Sequence, residues 1–259
     1  MHVRIAGSAD KPPLLLLHGF LGSGEDWMDC AGTLGESRLC IMPDLPGHGK
    51  TATLTEKQPS FEEISRQLAH IVRELRPGLW DLVGYSMGGR LALHLALHHA
   101  DLFRSVVIVS ASPGLPTAKE REQRRLADGK LAGSIAADFE SFLEGWYRLP
   151  LFEQLAKHPL FPEIFERRRN NNPSALACAL DTLGTGNQPS LWTRLAANRL
   201  PLHFFAGEKD TKYVEIGRQL VNLCPCSELV VFPGCGHTPH IENRPLFLER
   251  LTGFIDAGA

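Results

Sequence analysis

Three residues far apart in the chain, Ser86, Asp210 and His237, are of the types that nucleophilic or proton-transfer catalysis needs. A serine hydroxyl becomes useful when a histidine takes its proton, and a carboxylate then fixes which ring nitrogen keeps its hydrogen. Ser86 lies in Gly84-Tyr85-Ser86-Met87-Gly88, after an apolar run, Trp80 to Val83, and at the opening of a helical run, Met87 to Leu97. This reads as a strand, a sharp turn and a helix, with the hydroxyl exposed at the turn. A residue at such a turn has strained backbone angles, and bulky neighbours would clash with it, which accounts for Gly84, Gly88 and Gly89. The plain alternative is a helix start with Ser86 as its cap. On the first reading the Met87 N–H, at the helix N-terminus, faces any negative charge that develops on a bound substrate. A second donor is expected from Phe20, in the glycine-bearing loop His18-Gly19-Phe20-Leu21-Gly22 that follows the apolar run Leu14 to Leu17.

Asp210 follows the strand-like run Pro201 to Ala206, and His237 follows Glu228 to Phe232 in the loop Pro233-Gly234-Cys235-Gly236-His237. Taken singly, each reads as an ordinary turn residue. Taken together, Ser86, Asp210 and His237 run in the order nucleophile, acid, base, each just past a predicted strand. His48, in Asp44-Leu45-Pro46-Gly47-His48-Gly49, is read as part of a loop that fixes the sheet edge rather than as a catalytic group. Cations cluster between the strands, first Lys119, Arg121, Arg124 and Arg125, then Arg167, Arg168 and Arg169 ahead of Asn170-Asn171-Asn172. Most of these suit a solvated helix face. Several arginines on a lid above a hydroxyl would also suit a substrate with more than one carboxylate, since the guanidinium fork matches a carboxylate in bidentate fashion. Trp146-Tyr147 is either packing within that lid or a pocket wall.

The elements that must position these groups alternate. Met1 to Ile5 can form an edge strand. Leu14 to Leu17, Arg38 to Met42, Trp80 to Val83 and Ser105 to Val109 read as strands, the continuous apolar runs among them as strands buried on both faces. Ser60 and Glu63 form a capping box before Phe61, Ile64, Leu68, Ile71, Val72 and Leu75, which recur at helical spacing. Repeated strand, loop and helix predict an α/β protein with a mostly parallel, doubly wound sheet. The rhythm breaks at Ser112-Pro113-Gly114. Residues 113–199 show no convincing strand and are expected to be a helical cap, leaving 1–112 and 200–259 as the core. A helix from Pro245 to Asp256 closes the chain.

Composition narrows the function classes. The 259 residues are 43% hydrophobic and 22% charged, which suits one globular domain with an insertion. A net charge of -2 offers no global field for nucleic acid. No apolar run is long enough to span a membrane, and the N-terminal stretch has no apolar signal core. The six cysteines lack metal-site spacing and are expected to be reduced thiols of a cytoplasmic protein. The sequence leaves the oligomeric state open, and a monomer is compatible with it.

Over nearly its whole length the chain resembles an α/β-hydrolase-fold lyase family of menaquinone biosynthesis, the 2-succinyl-6-hydroxy-2,4-cyclohexadiene-1-carboxylate synthases. The general motifs of that fold are Leu17-His18-Gly19-Phe20, Asp44 to Gly49 and the serine turn. More specific are Gly84 to Arg90, Pro113-Gly114-Leu115, Arg121 to Arg124, Trp146-Tyr147, and Arg168 with Asn170 to Asn172. Gly207 to Lys212 and Gly236 to Asn243 match as well. Family members often carry leucine at Met87, where only the backbone matters, and the chain is expected to lack part of the fold's first hairpin. The resemblance implies elimination of pyruvate from the tricarboxylate 2-succinyl-5-enolpyruvyl-6-hydroxy-3-cyclohexene-1-carboxylate, with no cofactor and no metal. It implies that Ser86 and His237 move a proton while Phe20 and Met87 hold the enolate. It also implies that Arg90, Arg124 and Arg168 bind carboxylates and that Tyr85 and Trp146 line the pocket. The residues by themselves lead to a triad and an anionic substrate, not to elimination. A carboxylesterase or carbon–carbon bond hydrolase on the same fold is the alternative, and a non-catalytic ligand-binding protein is a more distant one.

Overall fold

The computed structural model describes residues 1–51 and 59–257. Seven strands form one sheet: β1 (Val3–Ala6), β2 (Pro13–Leu17), β3 (Leu39–Pro43), β4 (Trp80–Tyr85), β5 (Phe103–Val109), β6 (Leu202–Gly207) and β7 (Ser227–Phe232). Their spatial order is β1-β3-β2-β4-β5-β6-β7. β1 runs antiparallel to β3, and every other pairing is parallel. The expected mostly parallel sheet is thus present. Its buried strands show why they read as continuous apolar runs: successive side chains point to opposite faces, and both faces are covered. On β2, Leu15 and Leu17 pack into one core with Ile41, Leu82, Val106 and Ile108. Leu14 and Leu16 pack into the other with Met42, Val83, Val107 and Phe205.

Helices cover the two faces. α1 (Met28–Leu34) supplies Cys30, Ala31 and Leu34 to the second core. α2 (Phe61–Leu75) and α3 (Met87–His98) supply the first. The Ser60–Glu63 capping box at the start of α2 is formed, and Phe61, Ile64, Leu68 and Val72 face inward as their spacing requires.

Between β5 and β6 the chain leaves the sheet. It forms α4 (Ala118–Ala137), α5 (Phe139–Tyr147), α6 (Glu153–Ala156), α7 (Phe161–Arg169) and α8 (Pro173–Leu183), with short 3₁₀ turns at Pro150–Phe152 and Trp192–Ala197. α4 and α5 begin with side-chain caps from Thr117 and Asp138, so both starts are encoded locally. This segment has its own core, in which Ile135, Leu143, Ile164 and Leu176 pack around Leu21 of the β2–α1 loop. The sheet resumes with β6. α9 (Thr211–Leu223), β7, α10 (Pro239–Glu242) and α11 (Arg244–Ala257) complete the chain. No described helix is long and apolar enough to cross a membrane.

Candidate active site

Ser86 occupies the turn between β4 and α3 at φ 50°, ψ −109°. A non-glycine residue there is strained by roughly 1–3 kcal/mol, and tight packing around it must hold that strain. The packing is visible at the flanking glycines. A Cβ on Gly84 would lie 2.3 Å from the Gly88 carbonyl oxygen, and one on Gly88 would lie 2.4 and 2.5 Å from the Leu17 and His18 carbonyl oxygens. Ser86 does not cap α3 with its side chain. Its Oγ lies 3.2 Å from His237 Nε2 instead.

His237 reaches Ser86 from the β7–α10 loop, and Asp210 arrives from the end of β6. Asp210 Oδ2 lies 2.6 Å from His237 Nδ1. With Nδ1–H donated to Asp210, Nε2 has a lone pair free to accept the Ser86 hydroxyl hydrogen. Both side chains are about 2% exposed, so the hydrogen bond between them is little screened. Tyr213 and Tyr85 pack on the imidazole, with ring centroids at 4.9 and 5.4 Å. Glu242 ties down the presenting loop by accepting from the Thr238 N–H and hydroxyl and from the Gly236 N–H.

The two expected anion-stabilising donors, the N–H groups of Phe20 and Met87, have no acceptor among the described residues. The Gly88 N–H, one residue on, is bound to the His18 carbonyl at 3.0 Å, which fastens the Phe20 loop to the start of α3. His18 is fully buried. Its Nδ1 donates to the Gly19 carbonyl at 2.7 Å, and its Nε2 accepts from the Leu45 N–H at 2.9 Å. His48 is buried against His18 and Phe20, and burial pushes its pKa down to about 3. It is thus a neutral packing residue.

A cavity of about 890 Å³ opens above Ser86, with its far wall built by α4, α5 and α8. Phe20, Met87, Arg90, Arg124 and Trp146 all line it with Ser86 and His237. Trp146 is both pocket wall and packing, since it also stacks on Phe142 and lies edge-on to Phe20. Arg90, in the first turn of α3, buries Nη1 with no partner among the described residues. Burial pushes its pKa down to about 10, because no carboxylate compensates it fully. Arg124 is partly exposed and donates Nε to Asp128 at 2.7 Å.

Arg168 and Tyr85 sit elsewhere. They line a small adjoining chamber of about 40 Å³ that also touches Ser86 and Trp146. The Arg168 guanidinium is committed to protein partners: Nη1 and Nη2 donate to Asp26 at 2.8 and 2.7 Å, and Nε donates to the Tyr147 hydroxyl at 3.2 Å. Burial alone would raise the Asp26 pKa, but the adjacent Arg168 outweighs it and holds the carboxyl below its usual value. Burial raises the Tyr85 phenol well above its ordinary range, so it stays neutral.

Lys212 and Tyr213, both on α9, line the cavity and were not singled out as site residues from sequence. The Lys212 ammonium lies 5.3 Å above the Tyr213 ring. Their proximity to Asp210 in the chain was the available signal. Asp26 was also missed, although Ser23 and Asp26 have the spacing of the capping box they form. Among the described residues, no group of His, Cys, Asp and Glu could hold a metal ion.

With this geometry in view, the likeness to known proteins is specific. The sequence profile of the alpha/beta hydrolase fold family matches residues 12–244. A protein of Bacillus subtilis (strain 168) with the provisional name 2-succinyl-6-hydroxy-2,4-cyclohexadiene-1-carboxylate synthase is 37% identical, over 95% of this chain and 93% of its own. The synthase of that name from Escherichia coli O7:K1 is 31% identical, over 92% of this chain and 91% of its own. The solved structure of MenH from S. aureus superposes with a TM-score of 0.94 at 31% identity, covering 99% of this chain and 98% of that one. The chain therefore belongs to the alpha/beta hydrolase fold family and, within it, to the 2-succinyl-6-hydroxy-2,4-cyclohexadiene-1-carboxylate synthases.

Proposed function

We propose that this protein is a lyase that eliminates pyruvate from 2-succinyl-5-enolpyruvyl-6-hydroxy-3-cyclohexene-1-carboxylate, giving 2-succinyl-6-hydroxy-2,4-cyclohexadiene-1-carboxylate for menaquinone biosynthesis. Residues 113–199 act as a cap, and 1–112 with 200–259 form the catalytic core. The observation that carries this reading beyond fold membership is the Arg90 guanidinium, buried without a fully compensating carboxylate in the same cavity as Ser86 and His237. An apolar ester has no use for such a group, whereas a substrate carboxylate would complete it.

The arrangement supports the following course. His237, oriented by Asp210, takes the Ser86 proton, and Ser86 removes the ring proton beside the succinyl ketone. Charge moves to the ketone oxygen, where the Phe20 and Met87 N–H groups stabilise it. The electrons return through the ring and break the ether C–O bond, and the departing enolpyruvate takes the proton held on His237 to become pyruvate, while the ring proton remains on the Ser86 hydroxyl. Arg90 and Arg124 hold carboxylates, Lys212 adds a third cation in the cavity, and Trp146 and Tyr85 line the site. Ser86 forms no bond to carbon.

The test is stoichiometric release of pyruvate from the tricarboxylate, read by a coupled lactate dehydrogenase assay. No pyruvate above the uncatalysed rate would end the reading. The hydrophobic share of the cavity wall, including Leu131, Phe142, Leu180 and Leu183, is what favours the second reading, a hydrolase. Mass spectrometry of enzyme quenched during turnover separates the two, since a kinetically competent adduct on Ser86 belongs to the hydrolase.

A further inference from the structure

Phe20 and Leu21 are the two middle residues of a turn that the Gly22 N–H closes by donating to the Gly19 carbonyl at 3.0 Å. Leu21 has φ 66°, unusual for a residue with a side chain. Beyond that turn and the Gly88–His18 bond, further hold on this stretch comes from the cap. The Leu21 side chain is fully buried in the cap's own core, and its carbonyl accepts a hydrogen bond from Asn171 Nδ2 at 2.9 Å. Five residues further on, Asp26 takes both terminal nitrogens of Arg168. The same carboxylate accepts from the Ser23 N–H at 3.3 Å, so it closes the turn that follows the loop. The end of α7 and the residues just after it thus grip the Phe20 loop on either side of Gly22. A Cβ on Gly22 would lie 2.4 Å from Asp26 Oδ2, so this stretch has little slack.

We propose that Asp26, Arg168 and Asn171 form a clamp through which the docked cap positions the Phe20 N–H, so that the oxyanion hole is complete only when the cap is seated. The proposal rests on the lyase reading for its kinetic consequences, but not for its geometry. It makes Arg168 a positioning residue in this chain. A substrate carboxylate could take Arg168 only by drawing it from Asp26, whose side chain is 7% exposed and would keep only the longer Arg167 pairing at 3.6 Å. Arg90, with a free buried nitrogen, carries no such penalty.

The experiment compares Asp26→Asn, Asn171→Ala, Arg168→Gln and Arg168→Lys with the wild-type protein. Hydrogen exchange of the peptide covering residues 19–26 reads the clamp directly. Pyruvate release from the tricarboxylate gives kcat and KM. The expected result for Asp26→Asn and Asn171→Ala is faster exchange in that peptide and kcat lower by about 10- to 100-fold, with KM within about threefold. Arg168→Gln should do the same, and Arg168→Lys should recover part of kcat by restoring the charge without the fork. Unchanged exchange in residues 19–26 in both Asp26→Asn and Asn171→Ala would overturn the clamp. So would a raised KM at unchanged kcat in Arg168→Gln, since that is the mark of direct carboxylate binding. If one variant fails to fold, the other decides. If the wild-type protein releases no pyruvate, the lyase reading falls and the exchange measurement still decides the clamp.

Discussion

Replacing Arg90 by methionine should make the protein more stable and less active. Methionine keeps most of the buried aliphatic volume and removes the charge. Burial lowers the Arg90 pKa from its ordinary value to about 10, and each unit corresponds to about 1.36 kcal/mol, so holding this cation costs at most about 3 kcal/mol. Water in the cavity relieves part of that, leaving an expected gain of about 1–3 kcal/mol. Because the folded value lies below the unfolded one, the penalty is fully present below pH 10 and fades only as pH rises from there toward the unfolded value. A stability measurement near neutrality therefore sees all of it. For a chain of this size, about 2–4 °C per kcal/mol gives a midpoint roughly 2–12 °C higher. The same substitution removes charge-assisted hydrogen bonds to one substrate carboxylate, worth about 1.5–3 kcal/mol, so kcat/KM should fall by about 10- to 100-fold. Thermal and urea denaturation give the first quantity, and steady-state pyruvate release gives the second. An Arg90→Met protein destabilised by more than about 1 kcal/mol would show that the guanidinium has a structural partner. An unchanged kcat/KM would remove Arg90 from the carboxylate site.

Four further outcomes follow from the same geometry. Ser86→Ala should lose several decades of rate, and the quenched wild-type enzyme should carry no substrate-derived mass on Ser86; an adduct at competent levels would make the enzyme a hydrolase. Asp210→Asn should lower kcat by about 10³- to 10⁴-fold while leaving KM nearly unchanged, because the amide favours the wrong imidazole tautomer; retained activity would contradict the 2.6 Å Asp210–His237 contact as a working one. Gly88→Ala should unfold the protein or lower its stability by about 1–3 kcal/mol, read by urea denaturation, because the new Cβ meets two carbonyl oxygens at about 2.5 Å. The Asp26 carboxyl titrates below 3.8 in the folded protein, so its stabilisation is complete above that value and is lost as pH falls through the folded pKa. Asp26→Asn should therefore lower stability at pH 7, and its gap to the wild type should narrow as pH falls below the ordinary carboxylate range; a gap independent of pH would refute the ion pair as its cause.

The sequence alone determined what depends on short-range sterics and periodicity. Glycines at 84 and 88 around a serine imply close backbone approach, and the structure has carbonyl oxygens where their side chains would be. Continuous apolar strands imply a sheet covered on both faces, and Leu14 to Leu17 divide between the two cores as that requires. Ser60 with Glu63 implies a helix start because both partners lie within one turn. The candidate triad could be named because each member follows a strand in a parallel sheet, and parallel strands bring their carboxyl ends to one edge. What the sequence could not sort was one arginine from another. Arg90, Arg124 and Arg168 are chemically identical in the chain, and their environments depend on partners brought near by the packing of the cap on the core. Asp26 lies 142 residues from Arg168, and no local pattern links an acid in a core loop to a base at the end of a cap helix. Only the tertiary structure left Arg90 with a bare buried nitrogen above Ser86 and gave Arg168 to Asp26. The physical reason is that a guanidinium's role is set by which carboxylate reaches it, and that is settled by chain folding over long separations, not by the residues beside it.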